Sequence, residues 1–259
     1  MQGEGGLGDW FVSRDAWQVM AAGIAYFAVL YFATALGNAW LTRRLLPRLG
    51  FGRVLDPRPL PPGQAAREVR EACVSIVIFG AGLVVPWGLL RLGWARLAQD
   101  PSALRVVAEI GALFLWNELH FYVNHRLLHT PPLRRFHGDH HRSHVPTPFS
   151  TYAFHPVEAV MLGSVPLIPM LLHDFSFVAL FSLPILSVLL NSLGHSNYEF
   201  TRGAPASGPL GASRRHHLHH ACYHGNYGFL LTAFDRLMRT ELPLDAARER
   251  IARGAGEAR

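Results

Sequence analysis

Fifteen histidines stand in this chain, all of them between His120 and His224. Imidazole is the commonest protein ligand for transition metals, so their spacing is the first thing to read. His125 and His129 are four residues apart, which on a helix puts both rings on one face. Glu118 and Tyr122 precede them at helical spacing, giving one polar stripe. His137, His140 and His141 form a second cluster, for which Thr130 and Pro131 fit the cap and first turn of a short helix. His216, His219 and His220 repeat that spacing with His217 inserted, and His195 follows Asn191 by one helical turn. A single ion takes three or four protein ligands, so nine such histidines point to two metal ions in one site. His144 continues the face of the second cluster. His120, His173 and His224 lie off the pattern and read as ordinary hydrogen-bonding side chains. No HExxH pair occurs, which argues against zinc peptidase chemistry. Imidazole suits zinc, copper and iron alike, but an imidazole-rich pair of metals in apolar surroundings fits oxygen activation on a lipid chain or ring.

The elements that must position these residues are apolar helices. The chain has 259 residues, is 50% hydrophobic and only 16% charged, and carries a net charge of +6 made entirely by arginine, without lysine. Ala16 to Leu41 is uncharged and exceeds the roughly 20 residues that span a bilayer. A cleaved signal peptide is disfavoured, because Glu4, Asp9, Arg14 and Asp15 replace the expected basic run. A second apolar run covers Cys73 to Leu90, and a third, Ala103 to Val123, carries Glu109, Asn117, Glu118 and His120. Val157 to Leu172 and Phe175 to Leu193 are parted only by His173 and Asp174, which predicts a hairpin kinked by Pro166, Pro169 and Pro184. A soluble globule would rarely hold 26 uncharged residues in a row.

Seven arginines, from Arg43 to Arg70, follow the first run, whereas Arg14 alone precedes it. By the positive-inside rule this linker is cytoplasmic, and two further crossings and the hairpin then bring every histidine cluster to the cytoplasmic face. The expected fold is all-α, an integral membrane helical bundle with a cytoplasmic histidine-rich helical cap. Residues 1–102 would supply membrane helices and a linker, 103–240 the histidine-box catalytic domain with its hairpin, and 241–259 a basic tail. The arginine-only basic set suggests a GC-rich genome and hence a bacterial inner membrane. Cys73 and Cys222 are too far apart for a CxxC pair, and a disulfide framework is excluded. Basic residues flank apolar spans rather than forming a soluble basic face, so nucleic acid is not an expected partner.

The order HxxxH, HxxHH, a lone histidine and HxxHH resembles the fatty acid hydroxylase and sterol desaturase superfamily of membrane di-iron proteins, over Glu118 to Thr240. The strings from His140 to Phe149, from Ala153 to Glu158 (AFHPVE), His219-His220 before Asn226-Tyr227-Gly228, and Asp235-Arg236-Leu237 are similar to the sterol C-5 desaturase branch. The segment from Phe234 to Thr240 departs from it, since that branch usually has tryptophan before the aspartate and glycine before the threonine. The resemblance implies that His125, His129, His137, His140, His141, His195, His216, His219 and His220 bind two irons, for which zinc can substitute. Glu118, His155 and Asn226 would support or complete the site, while His144, His217 and His224 match variable positions. It further implies O2-dependent hydroxylation or desaturation of a sterol-like or fatty acyl lipid. Electrons would come from outside, because no redox domain is recognisable in the sequence. A ferredoxin or b-type cytochrome with its reductase is the expected donor, and Arg126, Arg134, Arg135, Arg142, Arg214 and Arg215 could dock it or anchor the membrane face. The competing function is a histidine-rich membrane metal-binding or metal-transport protein without oxygenase activity, although transport sites tend to sit at the bilayer midplane.

Overall fold

A computed structural model describes residues 7–200 and 208–243. The Gly-rich beginning and the basic tail of residues 246–259 lie outside the described residues. α1 (Leu7–Ser13) leads into α2 (Ala16–Trp40), whose start is closed by Asp15 donating its backbone N–H to Gln18 Oε1. The helix runs on through a π turn at Leu41–Leu45 into α3 (Leu46–Arg48). α4 (Gln64–Gly82) and α5 (Val84–Arg91) make one apolar stretch with a break at Leu83. Pro86 explains it, since it has no N–H to offer the Gly82 carbonyl four residues back.

α6 (Ala103–Leu128) ends at the first histidines, and α7 (Arg134–His141) carries the second cluster. α8 (Pro156–Gly163), α9 (Leu167–Leu172) and α10 (Phe177–Gly194) build the hairpin. α11 (Ala212–Cys222) carries the third cluster and α12 (Ala233–Leu237) follows. One minimal antiparallel pairing, β1 (Arg53–Val54) with β2 (Tyr198–Glu199), joins the linker to the segment after α10.

Ala16–Arg48, Gln64–Arg91 and Phe177–Gly194 are long and apolar enough to cross a membrane. The third run differs from expectation. It has the length of a crossing as α6 but not the composition, since it carries Glu109, Asn117, Glu118 and His120, of which the first three are turned inward and buried. Glu109 is accommodated by Arg105 Nε at 2.8 Å, His173 Nε2 at 3.1 Å and the Ser176 N–H at 2.8 Å, which ties the hairpin tip to α6. The hairpin's first limb is divided after Ser164, before Pro166, whereas α10 continues unbroken through Pro184.

The main core joins Phe27, Tyr31 and Ala35 of α2 to Ala72, Ile76 and Phe79 of α4, capped by Tyr152, Phe154, Ala159 and Val188. Between helices in lipid, attraction comes chiefly from close packing, which small residues permit. Here α2 and α4 cross at Gly23 and Gly80: a Cβ on Gly80 would stand 2.3 Å from the Ile24 nitrogen, and one on Gly23 2.5 Å from the Gly80 oxygen. We expect Gly80→Ala to destabilise the detergent-solubilised protein by about 1–3 kcal/mol, read as a lowered Tm. Gly82→Ala, which meets open space, should leave Tm nearly unchanged or raise it.

Candidate metal centre

The four histidine-bearing elements converge on one buried site. His125 and His129 come from the C-terminal turn of α6, His137 and His141 from α7, and His219 from α11. Their ligating nitrogens form one group within 4.8 Å of one another. His140 of α7, His195 just past α10, and His216 and His220 of α11 form a second such group. Each HxxHH cluster is therefore divided. Residues four apart (137 and 141, 216 and 220) stay together, while the third histidine of each cluster serves the other group.

Most of the outward ring nitrogens are held by acceptors. His125 Nδ1 lies 2.9 Å from the Tyr227 carbonyl, His195 Nδ1 2.8 Å from that of Asn191, His219 Nδ1 2.7 Å from that of Gly225, and His140 Nδ1 3.3 Å from that of Ala153. His137 Nδ1 instead meets Glu158 Oε1 at 2.8 Å. A carbonyl oxygen only accepts, so Nδ1 of His125, His140, His195 and His219 carries the proton and Nε2 of each keeps a lone pair. The Nε2 atoms then face one another. His140 to His195 is 3.2 Å, His195 to His216 3.0 Å, His216 to His220 3.1 Å, His137 to His141 3.1 Å and His141 to His219 3.1 Å. His125 Nε2 and His129 Nε2 are buried without any partner.

His140 and His195 therefore meet lone pair to lone pair, an arrangement that repels unless a cation lies between them. Two nitrogens at right angles around an ion, each bonded at about 2.0–2.1 Å, stand about 3 Å apart. The donor set fits two metal ions on both counts, separation and orphaned nitrogens.

Burial acts on the same nitrogens. His137 is pushed down to about 3 and His195 to about 4, chiefly by loss of water around the charged ring, and His140, His141, His216, His219 and His220 are held well below the ordinary imidazole range for the same reason, reinforced by neighbouring rings. Neutral imidazole is the form that ligates.

Glu118, His155 and Asn226 lie outside both groups. The Glu118 carboxylate accepts the backbone N–H groups of Leu230, at 3.0 Å, and Leu231, at 2.7 Å. Asn226, at φ +50°, accepts from the Leu242 N–H and donates to the Arg215 carbonyl. Both thus fasten the loop whose Gly225 and Tyr227 carbonyls orient His219 and His125. His155 caps α8, its Nδ1 accepting from the Val157 N–H at 3.1 Å. The cap expected at Thr130 is also different: α7 begins at Arg134 after Leu133, and the Thr130 hydroxyl donates back to Leu127. The turn through Thr130, Pro131 and Pro132 delays the helix, since Pro132 disfavours helical geometry in the residue before it.

His120, His173 and His224 bond Ser164, Glu109 and the Cys222 carbonyl, and His217 lies 3.6 Å from Asp56 Oδ2. Sequence reasoning gave no role to Glu158, or to Asp235, whose carboxylate accepts from the Tyr227 and Gly228 N–H groups. The string AFHPVE contained the Glu158 signal, a carboxylate in the first turn of an apolar helix.

A model of the fatty acid hydroxylase family matches residues 110–240, a stretch that contains all nine converging histidines. The chain belongs to the fatty acid hydroxylase family. Within this family it is 29% identical over 216 residues to a Delta(7)-sterol 5(6)-desaturase of Eremothecium gossypii, covering 76% of this chain and 58% of that protein. A Delta(7)-sterol 5(6)-desaturase of Candida glabrata is 31% identical over 182 residues, covering 66% and 47%. A very-long-chain aldehyde decarbonylase of Oryza sativa subsp. indica is 27% identical over 232 residues, covering 84% and 36%. The chain spans about half the length of the curated sterol desaturases it matches. These relatives are fungal and plant proteins, which lends no support to the bacterial source suggested by arginine usage. No solved structure matches the chain.

The depressed imidazoles set a pH dependence. Below an ordinary histidine pKa of about 6.5 the unfolded chain binds protons that the folded, metal-free protein refuses. Stability should therefore fall as pH drops from about 6.5 towards 4, by up to about 1.4 kcal/mol per pH unit for each such ring. Thermal melts of metal-stripped protein across this range check it, with a flat profile as the contrary result.

Proposed function

We propose that this chain is a membrane-bound oxidoreductase that hydroxylates or desaturates a lipid, sterol-like or fatty acyl, using O2 and two iron ions. The observation that carries the reading is the set of Nε2 atoms brought face to face at 3.0–3.2 Å in two adjacent groups. His125, His129, His137, His141 and His219 would hold one ion, and His140, His195, His216 and His220 the other. Bound iron would supply the activation of O2 needed to attack an unactivated C–H bond.

The protein's own part is to orient, neutralise and dry the site. Backbone carbonyls fix four of the rings in the tautomer that points Nε2 inward. Phe121, Leu128, Phe154 and Leu162 line the space beside the histidines and exclude bulk water from it. Placement of the reacting carbons against the histidine groups would decide between an alcohol and an alkene.

The proposed organisation keeps residues 103–240 as the catalytic unit, with 1–102 as membrane helices and linker and 241–259 as a basic tail. The arginine-rich linker supports placing the site on the cytoplasmic face. A ferredoxin or b-type cytochrome with its reductase would deliver electrons. The position of His125 near the end of α6 and of His195 just after α10 favours this reading over metal transport, since both lie at helix ends rather than at mid-span.

Metal content per chain by mass spectrometry tests the first step. The expected result is about two irons, or two zincs replaceable by ferrous iron under argon; one metal or none would favour a non-oxygenase role. With candidate lipids, His137→Ala and His219→Ala should each abolish oxygen-dependent product while the protein stays in the membrane. Product retained in either variant would remove that histidine from the ligand set.

A further inference from the structure

Beside both histidine groups lies a cavity about the size of one water molecule. Its walls are Phe121, Leu128, Phe154 and Leu162, together with His125, His137, His140 and His195, and two further polar residues, Glu158 and Asn191. Those two are buried, at 1% and 6% exposure. Each spends one polar atom on the scaffold. Glu158 Oε1 holds His137 Nδ1, and Asn191 Nδ2 donates to the Thr151 carbonyl at 2.9 Å. The other atom of each, Glu158 Oε2 and Asn191 Oδ1, is buried with no hydrogen-bond partner.

A buried polar atom left unpaired costs about 1–3 kcal/mol, and two such atoms on residues that line one cavity point to an occupant. That occupant must be small and able to donate hydrogen bonds. A hydroxylic oxygen meets both needs, and because it can also accept, it satisfies Glu158 with or without a proton on the carboxyl. An alkyl chain alone would leave both atoms unpaired.

We propose that this cavity is a binding site for one hydroxylic oxygen, held by Glu158 Oε2 and Asn191 Oδ1 against the two histidine groups. The oxygen is either an ordered water or the hydroxyl of a bound alcohol. The alcohol case rests on the lipid-oxidation reading, in which a product hydroxyl forms beside the same histidines; the water case does not. Glu158 then acts as a positioning residue that joins His137 to the occupant.

The site can be tested without turnover. A high-resolution structure of the full chain in lipid nanodiscs, free of added alcohol, should show density bonded to Glu158 and Asn191, which identifies water. Density that appears only with dodecan-1-ol identifies the alcohol, and a dry cavity in both overturns the proposal. If the occupant is the alcohol, dodecan-1-ol should bind about tenfold more tightly than dodecane, the effect of one to two net hydrogen bonds.

Asn191→Leu should erase that preference while keeping full metal content, because the backbone carbonyl of Asn191, not its side chain, serves His195. Leu162→Phe, which fills the cavity and removes no hydrogen bond, should also erase it and guards against a folding defect in the first variant. An alcohol preference unchanged in both variants would overturn the site. A protein that binds hydroxyl as described but forms no oxidised lipid would sink the oxidation reading and leave this one standing.

Discussion

The structure turns on the burial of nine uncharged imidazoles whose ring nitrogens converge in two adjacent groups. Such a cluster gains little from the hydrophobic effect, and each unpaired nitrogen opposes folding by an amount comparable to a lost hydrogen bond. Water could satisfy a few of these atoms but would have to enter an almost closed space. The arrangement is compatible with metal binding, and much of the surrounding polar architecture serves to hold the rings in this otherwise unfavourable geometry.

That architecture reaches from the membrane helices into the site. At the start of α4, Glu68 is fully buried and accepts from Gln64 Nε2 at 2.7 Å, the Ser143 hydroxyl at 2.7 Å and the Thr147 hydroxyl at 2.5 Å. Arg67 adds a bond to the same Ser143 hydroxyl at 2.9 Å. The end of α7 and the segment after it are thereby fixed to a helix long enough to span the bilayer. On the opposite side Glu118 of α6 and Asp235 of α12 clamp the loop from Gly225 to Leu231 through its backbone N–H groups. The loop's remaining carbonyls are free to point at histidines. Positive φ at Tyr223, Gly225 and Asn226 lets the chain reverse directly after α11 so that this is possible.

The membrane-facing part obeys a different rule. Polar groups within apolar helices must find partners inside the protein, because hydrocarbon offers none. Glu109 does so through Arg105, His173 and Ser176, and Asn38 of α2 does so by donating to the Ser192 carbonyl at 2.6 Å. Meanwhile the glycine crossing of α2 and α4 brings two backbones together without an intervening side chain. The result is a rigid bundle from whose ends the histidine-bearing turns project.

The helical character, the apolar runs, the hairpin and the pairing of histidines four residues apart were legible in the chain because each depends on local period or composition. The 3.6-residue turn alone places His125 with His129, His137 with His141 and His216 with His220. Which pair meets which was not legible. The assignment of His140 to the group of His195, His216 and His220, and of His219 to that of His125 and His129, follows from how α7 and α11 face each other. No spacing within one helix encodes that. The same holds for Glu158, whose partner His137 is 21 residues away on another helix, and for Glu118, which looked like part of the histidine stripe yet turns to a loop more than a hundred residues later. Sequence determined the inventory and its local phase; tertiary packing decided the partners, because a lone pair, a carbonyl and a carboxylate find one another only after the helices have docked.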